Sequence, residues 1–232
     1  MDEEFGLLTN PERCSVCGLC AEICYYEARS MVGKRMTIEE VLEEVEKDRM
    51  FYETSGGGVT LSGGEPLAQP LFAEALLSQC KKRGFHTALE TSGLAEWEAL
   101  VGLIDYLDLV FYDIKHFDPE RHKEFTGIDN RLILENLKRL SNRFSPIVVR
   151  IPFVPGANDR REDQMQMYRF VSKLKNISWI EIMPYHRLGL AKYEGLGQKC
   201  GLEAVHSVSK RDLCNLVDLG KETGVEVRIG ST

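Results

Sequence analysis

The chain has 232 residues, 43% hydrophobic and 28% charged, enough to bury a core of its own. Its net charge of -7 gives a nucleic-acid role no electrostatic support, and no apolar run of about 18 residues is present to span a membrane. The start, Met1-Asp2-Glu3-Glu4, lacks the basic-then-apolar pattern of a signal peptide, so the sequence reads as cytoplasmic and its seven cysteines as metal ligands or free thiols rather than disulfides.

Residues 1–35 are unlike the rest and form a first unit. Four of the seven cysteines fall there, as Cys14-Ser15-Val16-Cys17-Gly18-Leu19-Cys20-Ala21-Glu22-Ile23-Cys24. This Cys-x2-Cys-x2-Cys-x3-Cys spacing is that of a ferredoxin-like run, so Cys14, Cys17, Cys20 and Cys24 are candidate ligands of a 4Fe-4S cluster. Zinc is the competing reading, but zinc sites usually pair two Cys-x2-Cys units across a longer gap. Tyr25 stands where the ferredoxin pattern has proline, and whether Cys24 closes the same cluster is left open.

The second unit, 36–232, opens with Thr37-Ile38-Glu39-Glu40, a capping box. Val41, Leu42, Val45 and Met50 then mark one apolar face of a surface helix. Next comes Gly56-Gly57-Gly58-Val59-Thr60-Leu61-Ser62-Gly63-Gly64-Glu65-Pro66, a short buried strand between glycine-rich turns. No Gly-Lys-Ser/Thr follows, which rules out a P-loop. Pro66 stops the strand, and Pro70 opens a helix at its first turn.

Strand-like runs follow at 87–89, 107–114, 147–151, 179–182 and 225–229, with helical patterns near 70–83, 95–104, 130–142, 162–175 and 209–222. Alternation of this kind predicts an α/β fold with a parallel sheet and right-handed crossovers; the resemblance set out below makes it a partial (β/α) TIM-like barrel. Each strand ends in polar groups: Ser62-Gly63-Gly64-Glu65, Glu90-Thr91-Ser92-Gly93, Asp113-Ile114-Lys115-His116, Arg150-Ile151-Pro152 and Pro184-Tyr185-His186. The carboxyl ends of parallel strands converge on one rim, where ligands bind. Singly, Asp113 and Lys115 could be an ion pair, Arg150 a brace for carbonyls and His186 a hydrogen-bonded strand end; together on one rim they read as a site. Cys80, Cys200 and Cys214 have no ligand-like neighbours in the sequence and read as structural.

With these motifs, Pro155-Gly156-x-Asn158-Asp159 and Met183-Pro184-Tyr185-His186-x-x-Gly189, the chain resembles the radical S-adenosylmethionine enzymes that activate glycyl-radical enzymes, of the class with a ferredoxin-like insert. The resemblance runs from about Cys14 to Ile229. It implies that Gly63, Gly64 and Glu65 hold the amino group of adenosylmethionine, and that Asp113 and Lys115 hold its amino-acid end, with Lys115 on the carboxylate. Arg150 and His186 line the ribose, carboxylate and adenine side, while Glu90, Thr91 and Asp113 offer oxygens to a monovalent cation. It further implies a glycyl-radical enzyme as protein substrate and a flavodoxin- or ferredoxin-type electron donor.

The family's chemistry rests on a Cys-x3-Cys-x2-Cys motif, and that spacing is absent: after Cys20 and Cys24 the next position holds Glu27. The resemblance therefore places the catalytic cysteines on none of these residues. The expectation is a chain that begins inside the insert, lacks the first barrel strand, leaves an exposed edge near 59–61 and binds adenosylmethionine without cleaving it. A non-catalytic iron–sulfur module, an electron carrier or half of a split activase stand as alternatives.

Overall fold

The computed structural model describes residues 9–10, 12–31, 33–187, 193, 201–202, 205–206 and 208–230. Cys200 and Gly189 lie outside the described residues. Six strands form one sheet in the order β1-β2-β3-β4-β5-β6: β1 Gly58–Leu61, β2 His86–Thr91, β3 Leu109–Asp113, β4 Ile147–Phe153, β5 Ile177–Pro184 and β6 Val227–Ile229. Every neighbouring pair is parallel. The α/β alternation read from the sequence is thus the observed one.

The helices are α1 Leu19–Glu22, α2 Ile38–Lys47, α3 Arg49–Ser55, α4 Pro70–Lys82, α5 Trp97–Val101, α6 Pro119–Thr126, α7 Arg131–Ser141, α8 Arg161–Val171 and α9 Lys210–Thr223, among the described residues. Local chemistry sets several of their starts. Thr37 and Glu40 form the expected capping box on α2, and Pro70 occupies the first turn of α4. The predicted face running on to Met50 is interrupted: α2 ends at Lys47, α3 begins at Arg49, and Met50 is exposed. Residues 9–35 contribute no buried residue to α1, their one helix among the described residues.

Side chains alternate across each strand. One set faces the helices and makes the main core: Leu89, Val110, Tyr112, Ile114, Ile147, Val149, Ile151, Ile180 and Ile182, packed with Leu77, Leu137, Leu140, Met167 and Leu219. The other set carries Glu90, Phe111, Asp113, Arg150 and Glu181. Register brings these together, since Glu90 lies beside Phe111, Asp113 beside Arg150 and Arg150 beside Glu181. A smaller cluster of Leu42, Leu76, Cys80 and Phe85 joins α2 to α4. Cys80 is fully buried there, whereas Cys214 on α9 is exposed. No helix among the described residues is long and apolar enough to cross a membrane.

Candidate functional site

The turn after β1 is tied to the end of β2 through one side chain. Glu65 Oε1 accepts from Thr91 Oγ1 at 2.6 Å and from the Leu67 N–H at 3.2 Å. Its Oε2 accepts from the Ser92 N–H at 2.9 Å and Ser92 Oγ at 2.6 Å. Four donors fill the acceptor sites of a carboxylate, so the groups left facing outward at this turn are the main chain of Gly63 and Gly64. Both glycines are exposed, and Gly63 has φ 111°, a left-handed conformation that side chains avoid.

Beside the turn, Glu90 on β2 accepts from the Ser62 hydroxyl and from Arg150 Nη1. Arg150 on β4 also donates through Nε to Glu181 Oε2 at 2.6 Å, and its guanidinium lies 3.7 Å over the Phe111 ring. The guanidinium is therefore held flat by two carboxylates and an aromatic face. Burial works against the Glu90 charge, but Ser62 and Arg150 together outweigh it and hold that carboxyl below its usual range. Glu181 was not anticipated; its signal was an isolated acid in the otherwise apolar run Trp179-Ile180-Glu181-Ile182.

Asp113 is the contrast. It ends β3, half-buried between these groups, and no hydrogen bond or ion pair reaches its carboxylate among the described residues. Burial pushes its carboxyl up to about 6, with Glu90 and Glu65 adding to the rise while Lys115 and Arg150 oppose it. Lys115 lies past the end of the strand, exposed, and the pair does not meet the distance of a salt bridge. A partly buried acid without a partner suits a cationic ligand such as an ammonium group, and the exposed main chain of Gly63 and Gly64 suits the same group. His186 follows β5, exposed, in a cleft of about 320 Å³ shared with Tyr185, Arg187 and His206.

The structure thus gathers Glu65, Glu90, Asp113 and Arg150 at the carboxyl end of the sheet, with Gly63, Gly64 and Lys115 on loops around them and His186 at the far side. Of the four cysteines of the first unit, Cys14, Cys17 and Cys20 are exposed and Cys24 is half-buried. Among the described residues no group of three or more His, Cys, Asp or Glu side chains stands ready to hold a metal ion. Four closely spaced thiols remain the right donor set for an iron–sulfur cluster.

Comparison with known proteins agrees with this architecture. The profile of the Radical SAM superfamily matches residues 11–170. An isethionate sulfite-lyase activating enzyme of Oleidesulfovibrio alaskensis is 44% identical over 83% of this chain, which spans 62% of that relative's length. A trans-4-hydroxy-L-proline dehydratase activating enzyme of Clostridioides difficile is 36% identical, over 97% of this chain and 84% of the relative. Among solved structures, a domain of a pyruvate-formate lyase-activating enzyme from Bacteroides vulgatus superposes with a TM-score of 0.65 at 27% identity, covering 75% of this chain and 99% of that one.

Proposed function

Because this chain belongs to the radical SAM superfamily, in the group of activating enzymes of glycyl-radical enzymes, we propose that its rim binds S-adenosylmethionine and serves the installation of a radical on a glycine of a partner enzyme. The observation that carries this is the Asp113 carboxylate, without a hydrogen-bond or ion-pair partner among the described residues, on the same rim as the exposed Gly63–Gly64 turn and two residues before Lys115. A zwitterionic ligand needs an anion for its ammonium and a cation for its carboxylate. Here Asp113 and the turn would take the first, and Lys115 the second. Arg150, locked between Glu90 and Glu181, would line the ribose side as a fixed wall, and His186 would border the adenine.

When bound, adenosylmethionine supplies a carbon–sulfur bond that breaks on one-electron reduction to give a 5′-deoxyadenosyl radical. Glu65, whose four hydrogen bonds fix the turn, would hold Gly63 and Gly64 toward the ligand's amino group. A monovalent cation would find oxygens from Glu90, Thr91 and Asp113. Cys14, Cys17, Cys20 and Cys24 would hold a 4Fe-4S cluster as a separate ferredoxin-like unit over 1–35, fed in the cytoplasm by a flavodoxin or ferredoxin. No residue of this sequence supplies the Cys-x3-Cys-x2-Cys spacing, so no reductive step is assigned to this chain's own cysteines.

The test is made anaerobically on chain reconstituted with iron and sulfide. S-adenosylmethionine binds, about four irons are retained per chain, and dithionite yields no 5′-deoxyadenosine. Product formation would show an iron open to the ligand in this chain and overturn the incomplete-catalyst reading. Absence of adenosylmethionine binding would remove the rim site itself.

A further inference from the structure

The Pro155-Gly156-Ala157-Asn158-Asp159 turn belongs to the motifs above but has no role in the site as described so far. Resting on the reading that the rim binds adenosylmethionine, we infer that Asn158 is a positioning residue for Lys115. It holds the segment after β3 where the Lys115 ammonium can meet the ligand's carboxylate.

Asn158 is 3% exposed, and its amide links three pieces of chain. Nδ2 donates to the Pro152 carbonyl at 2.7 Å and to the Lys115 carbonyl at 2.9 Å, while Oδ1 accepts from the Val154 N–H at 2.9 Å. The Pro152 and Val154 bonds close the turn after β4 by themselves. The bond to Lys115 reaches 43 residues back in sequence and has no part in closing that turn. Asn158 is itself anchored, because its carbonyl accepts from Gln164 Nε2 of α8 at 2.6 Å, and Gln164 is fully buried.

The next two carbonyls of the same segment are held in the same manner. His116 and Phe117 carbonyls accept from Nδ2 of the buried Asn130 at 2.7 and 2.8 Å. Three consecutive carbonyls, 115 to 117, are thus fixed by two buried amides, while the Lys115 side chain alone projects to solvent. Fixing the main chain beneath a flexible lysine removes backbone freedom that binding would otherwise have to freeze. Both Nδ2 bonds are short enough to be well formed.

The experiment is a double-mutant cycle on the full chain, reading S-adenosylmethionine affinity by anaerobic equilibrium dialysis. Lys115→Ala weakens binding about tenfold or more, the loss of a charge-assisted contact. Asn158→Ala weakens it about fivefold with Lys115 present and by less than about twofold in the Lys115→Ala background, because the two act through one group. Asn158→Ser adds no charge, keeps a small polar side chain in the turn, loses the reach to the Lys115 carbonyl and gives the same pattern; it decides the matter where the alanine variant does not fold. Asn158 variants that bind as wild type, or that lose affinity equally with and without Lys115, overturn the positioning role and leave the rim site standing. Wild-type chain that does not bind, or Lys115→Ala binding as tightly as wild type, removes the rim site and this role with it.

Discussion

At the scale of single residues, Asp113 is the group with most to gain from a ligand and most to lose without one. Its carboxyl titrates near 6 instead of 3.8 because burial disfavours the charge. A carboxyl raised in the folded state binds its proton more tightly there than in the unfolded chain, so its contribution to stability is full below about pH 4 and is lost as pH rises through about 6. Two pH units correspond to about 3 kcal/mol. Asp113→Asn should therefore stabilise the ligand-free chain by up to about that amount at pH 7 and not at all at pH 4. Urea unfolding of both proteins across pH 4–7 checks this; parallel stability curves would refute it. Arg150 shows the opposite economy. It already has Glu90, Glu181 and the Phe111 face, so it presents a surface of fixed shape rather than an unsatisfied charge. Much of this was readable, since Asp113 and Glu90 lie at the ends of apolar strands and Arg150 is the charged residue of the apolar run 147–151. Their pairing was not: nothing in the sequence reading singled out Glu181, which takes the Arg150 Nε. Nor does the Gly-Gly-Glu motif reveal that its carboxylate is consumed by Thr91, Ser92 and Leu67.

At the scale of elements, the helix most dependent on one side chain is α2. Its single buried residue is Leu42, 2% exposed against Leu76, Cys80 and Phe85, and its start rests on the reciprocal Thr37–Glu40 bonds. Leu42→Ala should cost about 3 kcal/mol and Thr37→Ala about 1 kcal/mol. Limited proteolysis of either variant should cut first within α2 and α3 while the sheet stays protected; cleavage beginning in α7 or α8 would count against this account. The elements found from sequence are those with strong period: α4, α7, α8, α9 and all six strands lie where the apolar spacing put them. The missed helix α6 explains the limit. Asp118 caps it by accepting from the Glu120 and Arg121 N–H groups, Pro119 opens it and Gly127 ends it, yet it buries one residue, His122. With no apolar stripe, only its punctuation could have betrayed it. The break between α2 and α3 was hidden for a related reason, as Asp48 lies in the polar stretch 46–49 between Val45 and Tyr52, which pack on the smaller cluster from α2 and α3.

At the scale of the whole molecule, α1, the helix of residues 9–35 among the described residues, buries no residue. Replacing Cys14, Cys17, Cys20 and Cys24 together by serine should abolish iron uptake on reconstitution yet leave the thermal midpoint of the ligand-free chain unchanged within about 2 °C. A large fall in that midpoint would show the thiols to be part of the sheet's own core. The overall α/β plan was legible because strands of one apolar sign alternate with helices of one apolar stripe. What lay beyond reach was how the thiols are arranged in space, since a spacing of cysteines specifies a ligand set and not the packing around it. The strand order carries a last consequence, one for the growing chain. Among the described residues each strand from β2 to β6 lies beside the strand made just before it, so during synthesis each of these finds that partner already emerged. Folding can then keep pace with translation unit by unit, leaving little time for an apolar strand to meet another molecule first.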